Sequence, residues 1–137
     1  MTNEQIKALT DKGVILKHPE SIFIDDDVCL DNICSEAIIY PGCRIFGSTT
    51  YIGKGAKLGT EAPVTIKNSQ LGDGAVVAGG FIDNTTMLDG ANAGDGFHSR
   101  PGTILEEYAA VGHTGGLKQT ILFPFVTTGS LINWRNK

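Results

Sequence analysis

The chain has 137 residues, a formal net charge of −4 and no basic run, which suits a single domain and argues against a nucleic-acid partner. No apolar stretch approaches the roughly 18 residues of a membrane-spanning helix, and the N-terminus lacks the charged-then-apolar order of a signal peptide. We therefore expect a cytoplasmic protein without a membrane partner.

Residues 1–12 predict a short helix that caps the fold. Thr2 and Gln5 have the spacing of a capping box, in which each side chain bonds the other residue's backbone N–H. Ile6 and Leu9 share one helical face, and Gly13 stands where a helix-ending glycine is expected. We expect this helix to cover the otherwise open end of the structure that follows.

Residues 13–122 carry an aliphatic residue about every six positions. The clearest of these hexads open at Ile24, Leu30, Ile39, Ile45, Ile52, Leu58, Leu71, Val77, Leu105, Val111 and Leu117. A period of six fits neither a helical stripe nor a simple alternating strand, but it fits short strands joined by tight corners. The chain is therefore predicted to be all-β, a single-stranded parallel β-helix whose large aliphatic side chains stack inside.

The fifth position of nearly every hexad holds a small residue, which we expect to point inward at a corner where a bulky side chain would not fit. These residues are Val28, Cys34, Cys43, Thr49, Ala56, Ala75, Thr103, Ala109 and Gly115. The third cysteine, Cys29, holds a sixth position. Because the C-x-x-C or Cys/His spacing of metal sites is missing, we expect the cysteines to pack in the core and expect no metal centre.

Residues 123–137 lose the six-residue period. They are predicted to be an irregular segment at the end of the coils. Three interpretations stay open: the segment folds back as a cap, the natural protein is longer, or a neighbouring subunit covers it.

The hexads resemble those of the left-handed parallel β-helix of bacterial acyltransferases and nucleotide-sugar enzymes. The residue pattern alone does not fix the handedness, and the general rule for parallel crossovers favours a right-handed coil. The resemblance implies a left-handed β-helix with three hexads in each triangular coil. It also implies a homotrimer.

One segment carries a more specific resemblance. Arg100 opens an R-P-G-x-x-L motif, and Lys118 follows it three hexads later. This arrangement is similar to the β-helix (acetyltransferase) domain of the bifunctional UDP-N-acetylglucosamine pyrophosphorylase/glucosamine-1-phosphate N-acetyltransferase family. Residues 117–126 and 129–133 resemble UDP-N-acetylglucosamine pyrophosphorylase-related proteins nearly letter for letter.

The resemblance implies that Arg100 and Lys118 bind a phosphosugar, projecting from one face of adjacent coils. The planar fork of arginine and the point charge of lysine suit a phosphate or diphosphate. The family's catalytic histidine and acetyl-CoA coils lie beyond the matched lysine, so we expect no acetyl-CoA site in this chain and no other cofactor is evident. No catalytic residue is carried over. His113 and His98 are candidates for a general base, with phosphate contact or a structural role as alternatives.

Two functions follow as hypotheses, and enzymatic activity stays open. The first is a UDP-N-acetylglucosamine-related nucleotidyl- or acetyltransferase homologue or fragment, which binds a phosphosugar or nucleotide sugar but lacks the acyl-CoA coils. The alternative is a non-catalytic trimeric scaffold or assembly domain. A metal-dependent enzyme of the carbonic-anhydrase type needs three well-placed histidines, and His18 lies far upstream of the other two.

Overall fold

The computed structural model describes residues 1–135. Its elements in chain order are α1 (Asn3–Asp11), β1 (Ile15–Leu16), β2 (Phe23–Ile24), β3 (Ile38–Ile39), β4 (Arg44–Phe46), β5 (Tyr51–Ile52), β6 (Lys57–Leu58), β7 (Val64–Lys67), β8 (Gln70–Leu71), β9 (Val76–Val77), β10 (Gly80–Asp83), β11 (Thr85–Met87), β12 (Asn92–Ala93), β13 (Phe97–Ser99), β14 (Thr103–Leu105), β15 (Ala110–Val111), β16 (Gly116–Lys118), β17 (Ile121–Leu122), β18 (Thr127–Thr128) and β19 (Asn133–Arg135). Two 3-10 turns, Pro19–Ser21 and Leu30–Asn32, lie in the first coil.

The strands form three parallel sheets that the chain visits in turn. Sheet A stacks β1, β3, β6, β9, β12, β15 and β18, and sheet B stacks β2, β4, β7, β10, β13, β16 and β19. Sheet C stacks β5, β8, β11, β14 and β17, and an isolated bridge from Ile33 to Ile52 extends it into the first coil. Each coil thus gives one strand to each sheet, and the stack has about six turns. The predicted all-β parallel β-helix is confirmed.

The core consists of three ladders of inward side chains, one behind each sheet. Alternate residues of a strand face opposite sides of its sheet, and parallel pairing places each inward residue about 4.8 Å from its counterpart in the next coil. The fully buried members include Ile39, Leu58 and Val77 behind sheet A, Ile45, Ile66 and Ile82 behind sheet B, and Ile52, Leu71, Met87 and Leu105 behind sheet C. The six-residue period therefore reports this stacking directly.

Most of the small corner residues are buried as predicted, but the prediction for Thr49 is wrong. Thr49 is exposed, and Thr50 is buried in its place. The turn at Gly47 adds one residue to this corner, so that seven positions separate the inward residues Ile45 and Ile52. The Thr50 hydroxyl donates to the carbonyl of Phe46, which satisfies its polar group inside the corner.

The N-terminal helix and its capping box are also confirmed. The Gln5 backbone N–H donates to Thr2 Oγ1 at 3.1 Å, and the Thr2 backbone N–H donates to Gln5 Oε1 at 3.0 Å. Leu9 is fully buried in the core cluster, and the Val14 backbone N–H donates to the Leu9 carbonyl. The helix therefore packs onto the first coil. No helix among residues 1–135 is long and apolar enough to cross a membrane.

The structure differs from the prediction of an irregular C-terminal segment. Strand β18 pairs with β15 and β19 pairs with β16, so the coils continue past residue 122. The register aligns Thr128 with Val111 and Trp134 with Leu117, and these substitutions break the aliphatic period while the backbone ladder persists. Residues 136 and 137 lie outside the described residues, and the division of the chain at residue 122 stays a prediction.

The three cysteines predict a graded chemical reactivity. Cys29 is exposed, Cys34 is half-buried and Cys43 is buried. Burial raises the pKa of the Cys43 thiol, which lowers the fraction of reactive thiolate. We expect iodoacetamide to modify Cys29 in the native protein and Cys43 only after unfolding, as measured by mass spectrometry. Equal rates at the two sites in the native protein would contradict the burial of Cys43.

Candidate anion-binding site

The register of sheet B brings together the two cations that the sequence singled out. Ser99 of β13 pairs with Leu117 of β16, and the Arg100 backbone N–H donates to the Leu117 carbonyl at 2.9 Å. Continuing that register by one residue aligns Arg100 with Lys118, one coil apart. Both side chains are exposed and lie on the outward face of the sheet, since Ser99 and Leu117 are buried on the inward face.

Corner threonines hold the backbone beneath both cations. Thr103 Oγ1 donates to the Arg100 carbonyl at 2.9 Å, and Thr120 Oγ1 donates to the Lys118 carbonyl at 2.8 Å. Pro101 follows Arg100 and cannot donate to the strand ladder, so the strand ends at that point. The two carbonyls are therefore fixed at equivalent corners, and the side chains leave the sheet from equivalent positions.

Arg100 and Lys118 line a shallow cavity of about 300 Å³ on this face. Its other lining residues are His98, Gly116, Leu117 and Asn133. The cavity offers an arginine fork, an ammonium group, an imidazole and an amide, which together present several hydrogen-bond donors to one ligand. Such a set can bind a phosphate or diphosphate through charge-assisted hydrogen bonds.

The positive charge of the cavity is not neutralised by a carboxylate within the described part of the chain. The ion pairs there are Lys7–Asp11, His18–Glu20, Lys54–Glu36 and His113–Glu61. Neither Arg100 nor Lys118 belongs to this set. In a protein whose formal net charge is −4, two adjacent cations without a carboxylate partner favour an anionic ligand.

His98 links the cations to an aromatic stack. Arg100 Nη1 lies 3.5 Å from His98 Nε2, and because a guanidinium has no acceptor, the imidazole nitrogen accepts this long hydrogen bond. The His98 ring stacks on Phe81 of the preceding coil, with ring centroids 5.1 Å apart and an interplanar angle of 25°. The imidazole is thus oriented by two contacts on the cavity floor.

The second histidine candidate, His113, is not among the residues that line the cavity. It lies at a corner between sheets A and B, where its Nε2 is 3.8 Å from Glu61 Oε2. Both side chains are more than half exposed, so this contact is weak. The structure therefore brings His98 together with Arg100 and Lys118 and leaves His113 apart.

Sequence reasoning missed two residues of the cavity, Gly116 and Asn133. Both align with His98 in one outward column of sheet B, since His98 pairs with Gly116 and Gly116 pairs with Asn133. These steps span 18 and 17 residues, so the fixed three-hexad spacing does not predict the second. Asn133 also lies in the segment where the aliphatic period is lost, and only its segment's family resemblance pointed to it.

The chain was compared with known proteins. No protein-family model matches it. It is 32% identical over 111 residues to the bifunctional protein GlmU of Rippkaea orientalis, across 81% of this chain and 23% of that protein. It is 34% identical over 100 residues to the bifunctional protein GlmU of Nocardia farcinica, across 73% of this chain and 19% of that protein.

A third similar protein, the bifunctional protein GlmU of Pelobacter propionicus, is 31% identical over 111 residues, across 80% of this chain and 23% of that protein. The chain thus spans less than a quarter of the length of these relatives. The likeness supports left-handed winding of the coils, as the hexads imply. The chain is a hexapeptide-repeat parallel β-helix whose sequence is similar, over most of its length, to a segment of the bifunctional protein GlmU.

Proposed function

We propose that this chain is a transferase-like β-helix of the UDP-N-acetylglucosamine pathway that binds a phosphosugar through Arg100 and Lys118. The observation that carries the proposal is the alignment of these two exposed cations one coil apart, in a cavity with no carboxylate partner among the described residues. The similarity to GlmU proteins supports the choice of pathway.

The proposal concerns binding, not a complete catalytic cycle. It includes no acetyl-CoA site. Whether His98 or His113 acts as a general base stays a prediction, since His98 accepts a hydrogen bond from Arg100 and His113 lies beside Glu61. The proposed assembly is a cytoplasmic homotrimer, because a closed three-fold arrangement would set the exposed face of sheet B against a neighbouring subunit.

The test is calorimetric titration of the chain with glucosamine 1-phosphate and UDP-N-acetylglucosamine. We expect binding in the millimolar range or tighter. Arg100→Ala and Lys118→Ala should each weaken it roughly 10- to 100-fold, because each removes charge-assisted hydrogen bonds to the phosphate. Lys57→Ala is the matched control: it removes one exposed positive charge from sheet A and should leave the affinity within about twofold, since distant surface charges are screened.

The results also separate the two functional hypotheses. Affinity that falls in both cavity variants and not in the control supports a phosphosugar site. An intact trimer that binds neither compound at millimolar concentration contradicts the site and favours a non-catalytic scaffold.

A further inference from the structure

One rung of the outward column beside the cations carries no side chain. This column of sheet B runs from Thr65 through Phe81, His98 and Gly116 to Asn133. The rings of Phe81 and His98 fill two successive rungs, and Gly116 leaves the next rung empty. Two cavities of about 300 and 320 Å³ adjoin this rung, and both are lined by His98, Gly116 and Asn133.

The backbone does not require glycine at position 116. Gly116 is not among the residues with a positive φ angle. A Cβ atom added there would lie 3.4 Å from Asn133 Oδ1 and 3.7 Å from its Cγ, which is ordinary contact with a side chain. At Gly80 in the same sheet, by contrast, an added Cβ would overlap the backbone of Phe97. The absent side chain at 116 therefore opens space that the fold itself does not demand.

The dimensions of the empty rung suit one flat ring. Successive coils are about 4.8 Å apart, so the side chains of His98 and Asn133 arise about 9.6 Å apart along the column. A planar ring over Gly116 would extend the stack that Phe81 and His98 begin at a centroid spacing of 5.1 Å, within the range that aromatic pairs favour. The Asn133 amide, which has both donors and an acceptor, would meet the ring from the other side.

The cations lie at the distance from the slot that a phosphate of the same ligand needs. Arg100 and Lys118 are two residues beyond His98 and Gly116 along their strands, which is roughly 7 Å at the rise of a strand. A nucleoside phosphate has a flat base at one end and an anionic group at the other, with a ribose between them. A sugar phosphate has the anionic group but no planar ring to continue the stack.

We propose that the slot over Gly116, between His98 and Asn133, receives the base of a nucleoside phosphate whose phosphates bind Arg100 and Lys118. This inference rests on the proposed function and narrows its ligand class, from any phosphosugar to nucleotides and nucleotide sugars. Gly116, His98 and Asn133 then determine specificity, and the two cations supply affinity that all phosphate ligands share.

The experiment compares UDP and ADP with glucosamine 1-phosphate, titrated calorimetrically into the wild-type chain, Gly116→Val and His98→Ala. We expect at least one of the nucleotides to bind about tenfold more tightly than the sugar phosphate, as stacking of a base on a ring predicts. Valine suits a strand and fills the rung, so Gly116→Val should remove that advantage and change sugar-phosphate binding by less than about threefold. His98→Ala should reduce the advantage as well.

Thr65→Val is the matched control, since it adds the same branched side chain to another rung of the same column and should change neither affinity. Circular dichroism and thermal melting check the fold, and Gly116→Ala replaces the valine variant if that variant does not fold. Nucleotide and sugar-phosphate affinities that are equal, and that depend on Arg100 but not on Gly116, overturn this inference and leave the phosphosugar site standing. Binding of no phosphate compound overturns both, and nucleotide binding that is indifferent to Gly116 and Arg100 alike shows a different site.

Discussion

Replacing Gly80 with alanine should destabilise the protein by about 3–5 kcal/mol, which combines the cost of a left-handed backbone with that of overpacking. Gly80 begins β10 at a φ of +127°, which residues with a side chain rarely adopt. An added Cβ would overlap the carbonyl oxygen of Phe97 and lie 2.8 Å from its carbonyl carbon. Backbone atoms cannot rotate away as a side chain can. Denaturant unfolding followed by circular dichroism measures the loss.

Gly55→Ala separates the two contributions to this cost. Gly55 also has a positive φ, of +70°, but an added Cβ would meet no heavy atom within 4 Å. Its replacement should therefore cost only about 1 kcal/mol, the price of the backbone conformation. Similar losses for both variants would mean that β10 and β13 move apart to relieve the overlap. Because β13 carries His98, ligand affinity would then fall in Gly80→Ala as well.

The sequence predicts the inward residues of this fold well because stacking imposes a strict requirement on them. Each coil must place an aliphatic side chain where its neighbours do, so residues such as Ile39, Leu58 and Val77 repeat along the chain. The corners have no such requirement. One added residue at Gly47 moved the inward position from Thr49 to Thr50, and no periodic signal marks that shift.

The weakest part of the period, residues 79–97, reflects short coils and polar residues in the core. Only 16 residues separate Val77 from its partner Ala93, whereas 19 separate Leu58 from Val77. Ser99 occupies an inward position behind sheet B, and its hydroxyl pairs with that of buried Thr85. A hydroxyl pair satisfies both polar groups without an aliphatic residue, so the fold continues where the pattern fails.

The candidate site was predicted in part for the same reason. Arg100 and Lys118 stand one full coil apart, and the coil between them has the regular length of three hexads. The empty rung at Gly116 depends on which residues align across three coils. Phe81 aligns with His98 after 17 residues, and Gly116 aligns with Asn133 after 17 more from its own position, so a fixed spacing does not find the column.

Ile66→Ala should cost about 2–5 kcal/mol, the usual range for removing an aliphatic side chain from a packed core. Ile66 is fully buried between Ile45 and Ile82, so its loss leaves a cavity in the middle of the sheet B ladder. Thr65→Ala, on the outward face of the same strand, is the control and should cost less than about 1 kcal/mol. Each coil contacts only its neighbours, so in protein that remains folded the affinity for glucosamine 1-phosphate, two coils above Ile66, should stay within about twofold of wild type. A larger loss of affinity in Ile66→Ala, measured by the same titration well below the unfolding midpoint, would mean that strain passes along the solenoid to Arg100.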